Sequence, residues 1–331
     1  MDQWLYYIAT LVVFFFIFNI MTWGLNIQFG YAGILDFTYI TFFATGAYFA
    51  GATAMGPASG DVHYILGTNW NFAASLVLGG IVAGILGALV GLVALNRLRS
   101  DYLAIVTVSV GAIAYDFVSN QRWLFNGFDG LLGVPYPFDD ILNLDPNTYT
   151  LFYIVFAGVV MLLLWVFAQR IYNSPFGRAL RAIREDLDVA EAYGKNTYAM
   201  RMIAMVVGCA YSGIAGALLI GFISAFNPGG WTPPETFLIW AAMLIGGRAN
   251  NLGAVIGSLL VPVIFIEATR FLPAVPGHAE FIPAMRNILV GFLLIAVLWY
   301  RPQGLLPERR KRFFDLPIRR ERKVVSDVSV H

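Results

Sequence analysis

Charge is scarce in this chain. Only 12% of its 331 residues are Asp, Glu, Lys or Arg, against about 25% in ordinary soluble domains, and 59% are hydrophobic. That balance excludes an ordinary soluble globular protein. Cysteine occurs once, at Cys209 inside an apolar run, so no intrachain disulfide can form and core packing is its reading. Histidine occurs three times, at His63, His278 and His331, all in expected loops or the tail, so a histidine-based metal or catalytic site is not expected. No G-x-x-x-x-G-K-[ST] pattern is present, which leaves the chain without a nucleotide site of this type. Alternating strands of about ten residues, the mark of a membrane barrel, are also missing. The net charge of +1 carries little information, and no nucleic-acid partner is expected.

What the chain does have is long apolar runs. Residues 72–95 carry no charge over 24 positions, and about 20 apolar residues cross the hydrocarbon core as a helix. Backbone in lipid must satisfy its own hydrogen bonds, which such segments do as helices. Spans are expected at 4–25, 34–54, 72–95, 102–119, 150–169, 199–224, 237–247, 251–270 and 284–300. The start, MDQWLYYIATLVVFFFIFNI, has no basic residue before its apolar run and no small-residue cleavage site, and reads as a first membrane helix. The seventh segment is short before Gly246-Gly247 breaks it, so a half-helix or re-entrant hairpin is one reading. The expected fold is an all-α polytopic helix bundle of about 8–10 transmembrane segments, with glycine-rich broken or re-entrant helices.

Basic residues set the orientation. Arg97 and Arg99 share one short loop, six basic residues lie between 170 and 201, and nine of the 21 lie in 301–331. Loops 55–71 and 225–236 have none, and 120–149 has one Arg and four Asp. The N-terminus is therefore expected outside and the C-terminus in the cytoplasm, with segments seven and eight going in and coming back. Small residues recur four apart at Gly80, Gly84 and Ala88, at Ala83, Gly87 and Gly91, and at Gly208, Ser212 and Gly216. Such stripes let membrane helices approach closely and speak for a compact bundle rather than for a function.

The segment SPFGRALRAIREDLDVAEAYGKN, residues 174–196, interrupts this greasy pattern. Ser174 is a cap, Pro175 suits the first helical position and Gly194 a helix stop. Phe176, Leu180, Ile183 and Leu187 recur on one face, with Arg178, Arg181 and Arg184 away from it. A helix lying on anionic headgroups would be mostly basic on its polar face. Here Glu185, Asp186, Asp188 and Glu191 crowd the second half, which fits a protein partner better.

This segment resembles the cytoplasmic coupling segment of permeases in branched-chain amino acid ABC importers, the LivM-type subunit. Ser174, Gly177, Arg178, Ala179, Ala182, Ile183, Arg184, Glu185, Asp186, Ala190, Glu191, Ala192 and Gly194 fall into the family's pattern, with Val189 in place of its first alanine. GLNIQFGYAGILDFTYITFFATGAY, RLRSDYLAIVTVSVG, FNGFDGLLGVP, LIGGRANNLGAVIGS and YRPQGLLP resemble five further family segments in the right order. The resemblance covers most of the chain and ends near residue 310.

The resemblance implies a permease domain over residues 1–306, a cytoplasmic coupling segment at 174–196 and a basic tail at 307–331, in the cytoplasmic membrane of a prokaryote. It implies a second related permease, two cytoplasmic ATPases that bind the ATP, and an extracytoplasmic binding protein, all set in the lipid bilayer. The chain itself would hydrolyse nothing and hold no cofactor. The ATPase contact falls on Arg178, Arg181, Arg184, Glu185, Asp186, Glu191, Ala192 and Gly194. The substrate path is expected along Asn26, Tyr31, Gly33, Asp36, Thr38, Ser109, Asp116, Gly246, Gly247 and Asn251, since transporters place broken helices there. Asp36 stands where many relatives carry a small polar residue before Gly-His. Either it is a functional acid at membrane depth or it caps a helix starting at Phe37. Glu267 and Arg270, three apart, are an expected pair. A permease for urea or short amides, and an ion-coupled secondary transporter, are the rival readings. Residues 308–323 hold eight basic side chains and are expected to lie on headgroups or to be a solvated tail.

Overall fold

The computed structural model describes residues 3–58, 62–97, 100–138, 145–270 and 281–308. The described residues are mostly helical. Helix α1 (Gln3–Leu25) runs on through a wide π turn, Asn26–Tyr31. Then come α2 (Tyr39–Ala54), α3 (Phe72–Arg97), α4 (Ser100–Asn120), the short α5 (Arg122–Phe125) and α6 (Pro146–Asn173). The polar segment forms α7 (Pro175–Glu185) and α8 (Leu187–Ala192). It leads into α9 (Thr197–Ile223), α10 (Glu235–Gly246) and α11 (Asn251–Ser258). A second π turn, Leu259–Phe265, carries α11 into α12 (Ile266–Arg270), and α13 (Phe281–Tyr300) follows. Pro262 sits inside that turn and lacks the N–H that a regular helix would use there.

Among the described residues, six segments are long and apolar enough to cross a membrane: Trp4–Tyr31, Phe72–Leu95, Tyr102–Asn120, Thr148–Asn173, Thr197–Ile223 and Asn251–Thr269. Helices α2 and α10 have 16 and 12 residues, so at 1.5 Å per residue they reach about 24 and 18 Å, short of the roughly 30 Å hydrocarbon core. Helix α2 is buried along nearly its whole length, and α10 buries Leu238–Met243.

The centre is built on glycine. Helices α2, α3 and α9 pack so closely that a Cβ on Gly46 would overlap the Gly213 carbonyl oxygen, and one on Gly216 would overlap that of Phe43. In the stripes on α3, Gly84 faces Val206, Gly87 faces Cys209 and Gly91 faces Met202. Helix α1 also meets α9 closely at Gly24 and Gly208, and the Tyr39 hydroxyl beside them lies within hydrogen-bond reach of the carbonyls of Met21 (2.8 Å) and Gly208 (3.2 Å).

The loops sort to two ends. One end gathers the loop before α3, the segment after α4 and the turn after α9. Trp70 N donates to Thr53 O, residues Tyr64 and Phe125 form a bridge, and the two-residue strands β1 (Leu131–Leu132) and β2 (Ala225–Phe226) pair antiparallel. The other end gathers the π turn of α1, α7 and α8, the Gly247–Asn250 bend and residues 301–308.

Two expectations need correction. The second span starts at Tyr39 rather than near 34, because Ala32–Thr38 is unwound, with Gly33 at φ +68°. The polar segment is two helices rather than one. Asp186 adopts an extended conformation and its side chain accepts from Val189 N at 3.0 Å, ending one helix and capping the next. Glu267 accepts from the Tyr7 hydroxyl at 2.6 Å. The Arg270 side chain proposed as its partner, the side chain of Arg97, Arg99 and the tail 309–331 lie outside the described residues.

Candidate functional site

The α7–α8 segment is anchored as its sequence suggests. Ser174 Oγ accepts from Gly177 N at 3.1 Å, Pro175 opens α7, and Gly194 at φ +74° turns the chain after α8 while Lys195 N reaches Ala190 O. Leu180, Ile183 and Ala190 are buried against the bundle. Gly177 touches the carbonyl end of α6, where any side chain would overlap Ile171 O.

The charges divide between two faces. Arg178, Glu185, Asp186, Glu191, Ala192 and Gly194 stand in solvent, joined by Asp188, Val189 and Tyr193, whose side chain is 82% exposed. Glu191 also accepts from the Thr197 hydroxyl at the start of α9. Arg181 and Arg184 turn inward instead. The Arg181 guanidinium lies 4.5 Å over the Tyr172 ring and donates to Tyr172 O at 3.3 Å. Arg184 donates to Gly30 O at the end of the π turn, and its stem packs on Gly33. Both arginines meet Glu308. Sequence reading placed all three arginines together on the outer face and set Glu308 in a separate tail.

The glycine-rich segments also meet. Residues five apart stack in a π turn, so Asn26 and Tyr31 both reach Asn251, by Asn26 Nδ2 to Oδ1 at 3.3 Å and by the Tyr31 hydroxyl to the same oxygen. Asn251 Nδ2 donates to Gln169 Oε1 at 3.0 Å, Trp23 Nε1 donates to Asn251 O at 2.9 Å, and Ala249 N donates to Asn26 Oδ1 at 2.7 Å. This buried network is filled by protein and pins α1 to the α10–α11 bend. The bend needs glycine at Gly247, which has φ +122° and no room for a side chain beside Leu306 O. The carbonyls left open at the end of α10 are taken by residues 305 and 306, through Leu305 N to Ile245 O (2.8 Å) and Leu306 N to Gly246 O (3.0 Å).

Asp36 and Thr38 lie in the unwound stretch, inside the bundle rather than at its surface. Asp36 is 0% exposed; its Oδ1 accepts from Thr38 N at 2.9 Å, and its Oδ2 has no partner within hydrogen-bond geometry among the described residues. The stretch is braced by Thr107 of α4, whose hydroxyl accepts from Phe37 N at 3.1 Å and whose carbonyl accepts from the Thr38 hydroxyl at 2.7 Å. Trp240 Nε1 donates to Asp36 O at 3.1 Å. Thr107 had no assigned role in the sequence reading. Ser109 and Asp116 are not near this site; they lie exposed on the outer face of α4. A cavity of about 310 Å³ opens between α2, α3 and α4, lined by Thr41, Thr45, Tyr48, Leu86, Phe125 and Trp231 among others. Nearly all of its wall is apolar, and the Thr41 hydroxyl has no hydrogen-bond partner among the described residues.

The family profile described as branched-chain amino acid transport system / permease component matches residues 7–298. The chain belongs to that family. As a permease component it is similar to the probable branched-chain amino acid transport permease protein LivM of Methanocaldococcus jannaschii, at 29% identity over 91% of this chain and 94% of the relative. It is likewise similar to LivM of the high-affinity system of Escherichia coli, at 29% over 92% of this chain and 70% of the relative. LivH of Salmonella typhimurium, a permease protein of the same type of system, matches at 26% over 87% of this chain and 91% of the relative. No solved structure matches this permease.

Proposed function

We propose that this permease works in the cytoplasmic membrane of a prokaryote as one half of an importer for branched-chain or related amino acids. It pairs with a second, related permease, receives substrate from an extracytoplasmic binding protein, and is driven by two separate cytoplasmic ATPases. Relatives of both the LivM and the LivH kind support the pairing. The observation that carries the reading is the solvent face of α7–α8. It stands out from an apolar bundle and joins Glu185, Asp188 and Glu191 to the exposed Val189 and Tyr193. A mixed apolar and acidic face of this kind fits a soluble protein partner better than an anionic membrane.

The substrate path is assigned to the unwound stretch with Gly33, Asp36 and Thr38 and to the adjacent apolar cavity, whose lining suits an aliphatic side chain better than urea or a short amide. Asn26, Tyr31, Gly246, Gly247 and Asn251 are assigned to the joint that holds the broken helices together. Ser109 and Asp116 mark the face of α4 turned toward the second permease, because an acid facing lipid is costly.

Orientation rests on the basic loops. In a Cys209→Ser background, cysteines placed at Val62 or Phe128 are expected to react with an impermeant thiol reagent from outside the cell. Cysteines at Ala182 or Val189 are expected to react only after the membrane is opened. The reverse labelling pattern would put α7–α8 on the wrong side for cytoplasmic ATPases and sink the coupling reading.

A further inference from the structure

Glu308 joins parts of the chain that are remote in sequence. Its Oε2 lies 2.8 Å from Arg184 Nη2 and its Oε1 lies 3.6 Å from Arg181 Nε. The Arg184 and Glu308 side chains are only 10% and 17% exposed. Charged groups held this far from water depend on one another, because removing either leaves the other buried without its partner. Arg184 also holds Gly30 O, in the π turn that continues α1. On the other side, the chain leading to Glu308 is bonded to the α10–α11 bend. Leu305 N and Leu306 N take the last carbonyls of α10, and Asn250 Nδ2 donates to the carbonyls of Leu306 (3.3 Å) and Pro307 (3.2 Å). The bend in turn belongs to the Asn26–Asn251 network.

A third carboxylate completes the arrangement. Glu185 Oε1 lies 3.0 Å from the same Arg184 Nη2 that Glu308 engages, but its side chain is 62% exposed, on the solvent face of α7. A donor that captures Glu185 from outside frees Arg184 from that pull and leaves it to Glu308. The exposed face and the buried clasp therefore share one nitrogen.

We propose that Glu308 is a positioning residue for transport. Through Arg181 and Arg184 it passes displacement of residues 174–196 to the broken helices α10 and α11 by way of the strap 301–308. This rests on the reading of 174–196 as the ATPase contact.

The test uses the full chain with Glu308→Gln, which keeps the shape and removes the charge. In the reconstituted complex, ATPase docking is expected to stay within about twofold of the parent while substrate moved per ATP hydrolysed falls at least about tenfold. Glu308→Asp is expected to recover part of the loss, and adding Arg184→Ala to Glu308→Gln is expected to cost little more. In the chain alone, amide hydrogen exchange across Pro175–Ala192 is expected to speed up at least about tenfold. A parent chain that captures no ATPase would sink the coupling reading. Unchanged exchange in Glu308→Gln would sink the clasp whatever the docking result. Parent-like transport per ATP, or transport and hydrolysis falling in equal proportion, would reduce Glu308 to a structural tie and overturn the proposal.

Discussion

Gly46→Val is expected to lower the monodisperse yield and the melting temperature of this permease sharply. Gly46 faces Gly213 at the crossing of α2 and α9, and even a Cβ there would overlap the Gly213 carbonyl oxygen. Neither side has a flexible group to give way, since the obstacle is backbone. The helices must separate, and Gly216 beside Phe43 and Gly79 beside Gly46 lose their fit with them. Overpacking a well-fitted core typically costs about 1–3 kcal/mol and sometimes more. A clash that spreads over three helices belongs at the upper end, against a total stability of about 5–15 kcal/mol. Without a strong hydrophobic force between helices in lipid, close backbone packing is what holds the bundle. Monodisperse yield and melting temperature in detergent check this. Gly291→Ala is the control, because nothing lies within 4 Å of a Cβ at Gly291. Equal yields from the two variants would show that the central crossing is looser than described.

Glu191→Arg is expected to abolish transport while the permease stays folded and inserted. The Glu191 side chain lies on the solvent face of α8, among Asp188, Ala192 and Tyr193. Reversing its sign replaces attraction by repulsion wherever the ATPase offers donors. Breaking an interfacial charge pair this way costs about 2–5 kcal/mol, or roughly 30-fold to several-thousand-fold in docking. Glu191 also holds the Thr197 hydroxyl, so part of any loss could be local. Thr197→Val separates the two, since it removes the internal bond and keeps the charge. It is expected to change docking less than about tenfold. A helix resting on anionic lipid would respond to Glu191→Arg in the opposite sense, because an added Arg strengthens that hold. Docking and substrate-stimulated hydrolysis equal to the parent, at normal expression, would remove Glu191 from the contact.

Much of this architecture is legible in the sequence because the signals are local. The uncharged run at 72–95 can only be a spanning helix, and basic residues sort the loops to the ends where the structure gathers them. Ser174-Pro175 and Gly194 mark the limits of the polar segment through backbone chemistry that needs no distant partner. The break at Asp186 has a local signal too, an acid placed to cap the helix that starts at Leu187, but the apolar face of Phe176, Leu180, Ile183 and Leu187 runs across it without interruption.

What stayed hidden depends on contacts across the fold. The direction of Arg181 and Arg184 is set by Glu308, Tyr172 and Gly30, from three other stretches of chain. On the helix alone, both arginines simply lie off the apolar stripe. The wide turn at Asn26–Tyr31 has no composition of its own, yet it decides that Asn26 and Tyr31 share a side. Thr107 reads as one more small residue in an apolar helix until the unwound stretch at 32–38 is seen to lean on it. Asp36 left two readings open, a functional acid at membrane depth or the cap of a helix starting at Phe37; that helix starts at Tyr39 instead, and Asp36 accepts from Thr38 N ahead of it, from a fully buried position.

The most direct test of the account is uptake of labelled branched-chain amino acid into proteoliposomes that contain this permease, its partner permease and the two ATPases, with binding protein supplied from the side opposite α7–α8. The account predicts uptake that requires ATP, stops when the ATPases are left out, and stops again in Glu191→Arg. Uptake by the permease without ATPases, driven by an ion gradient and indifferent to ATP, would contradict it.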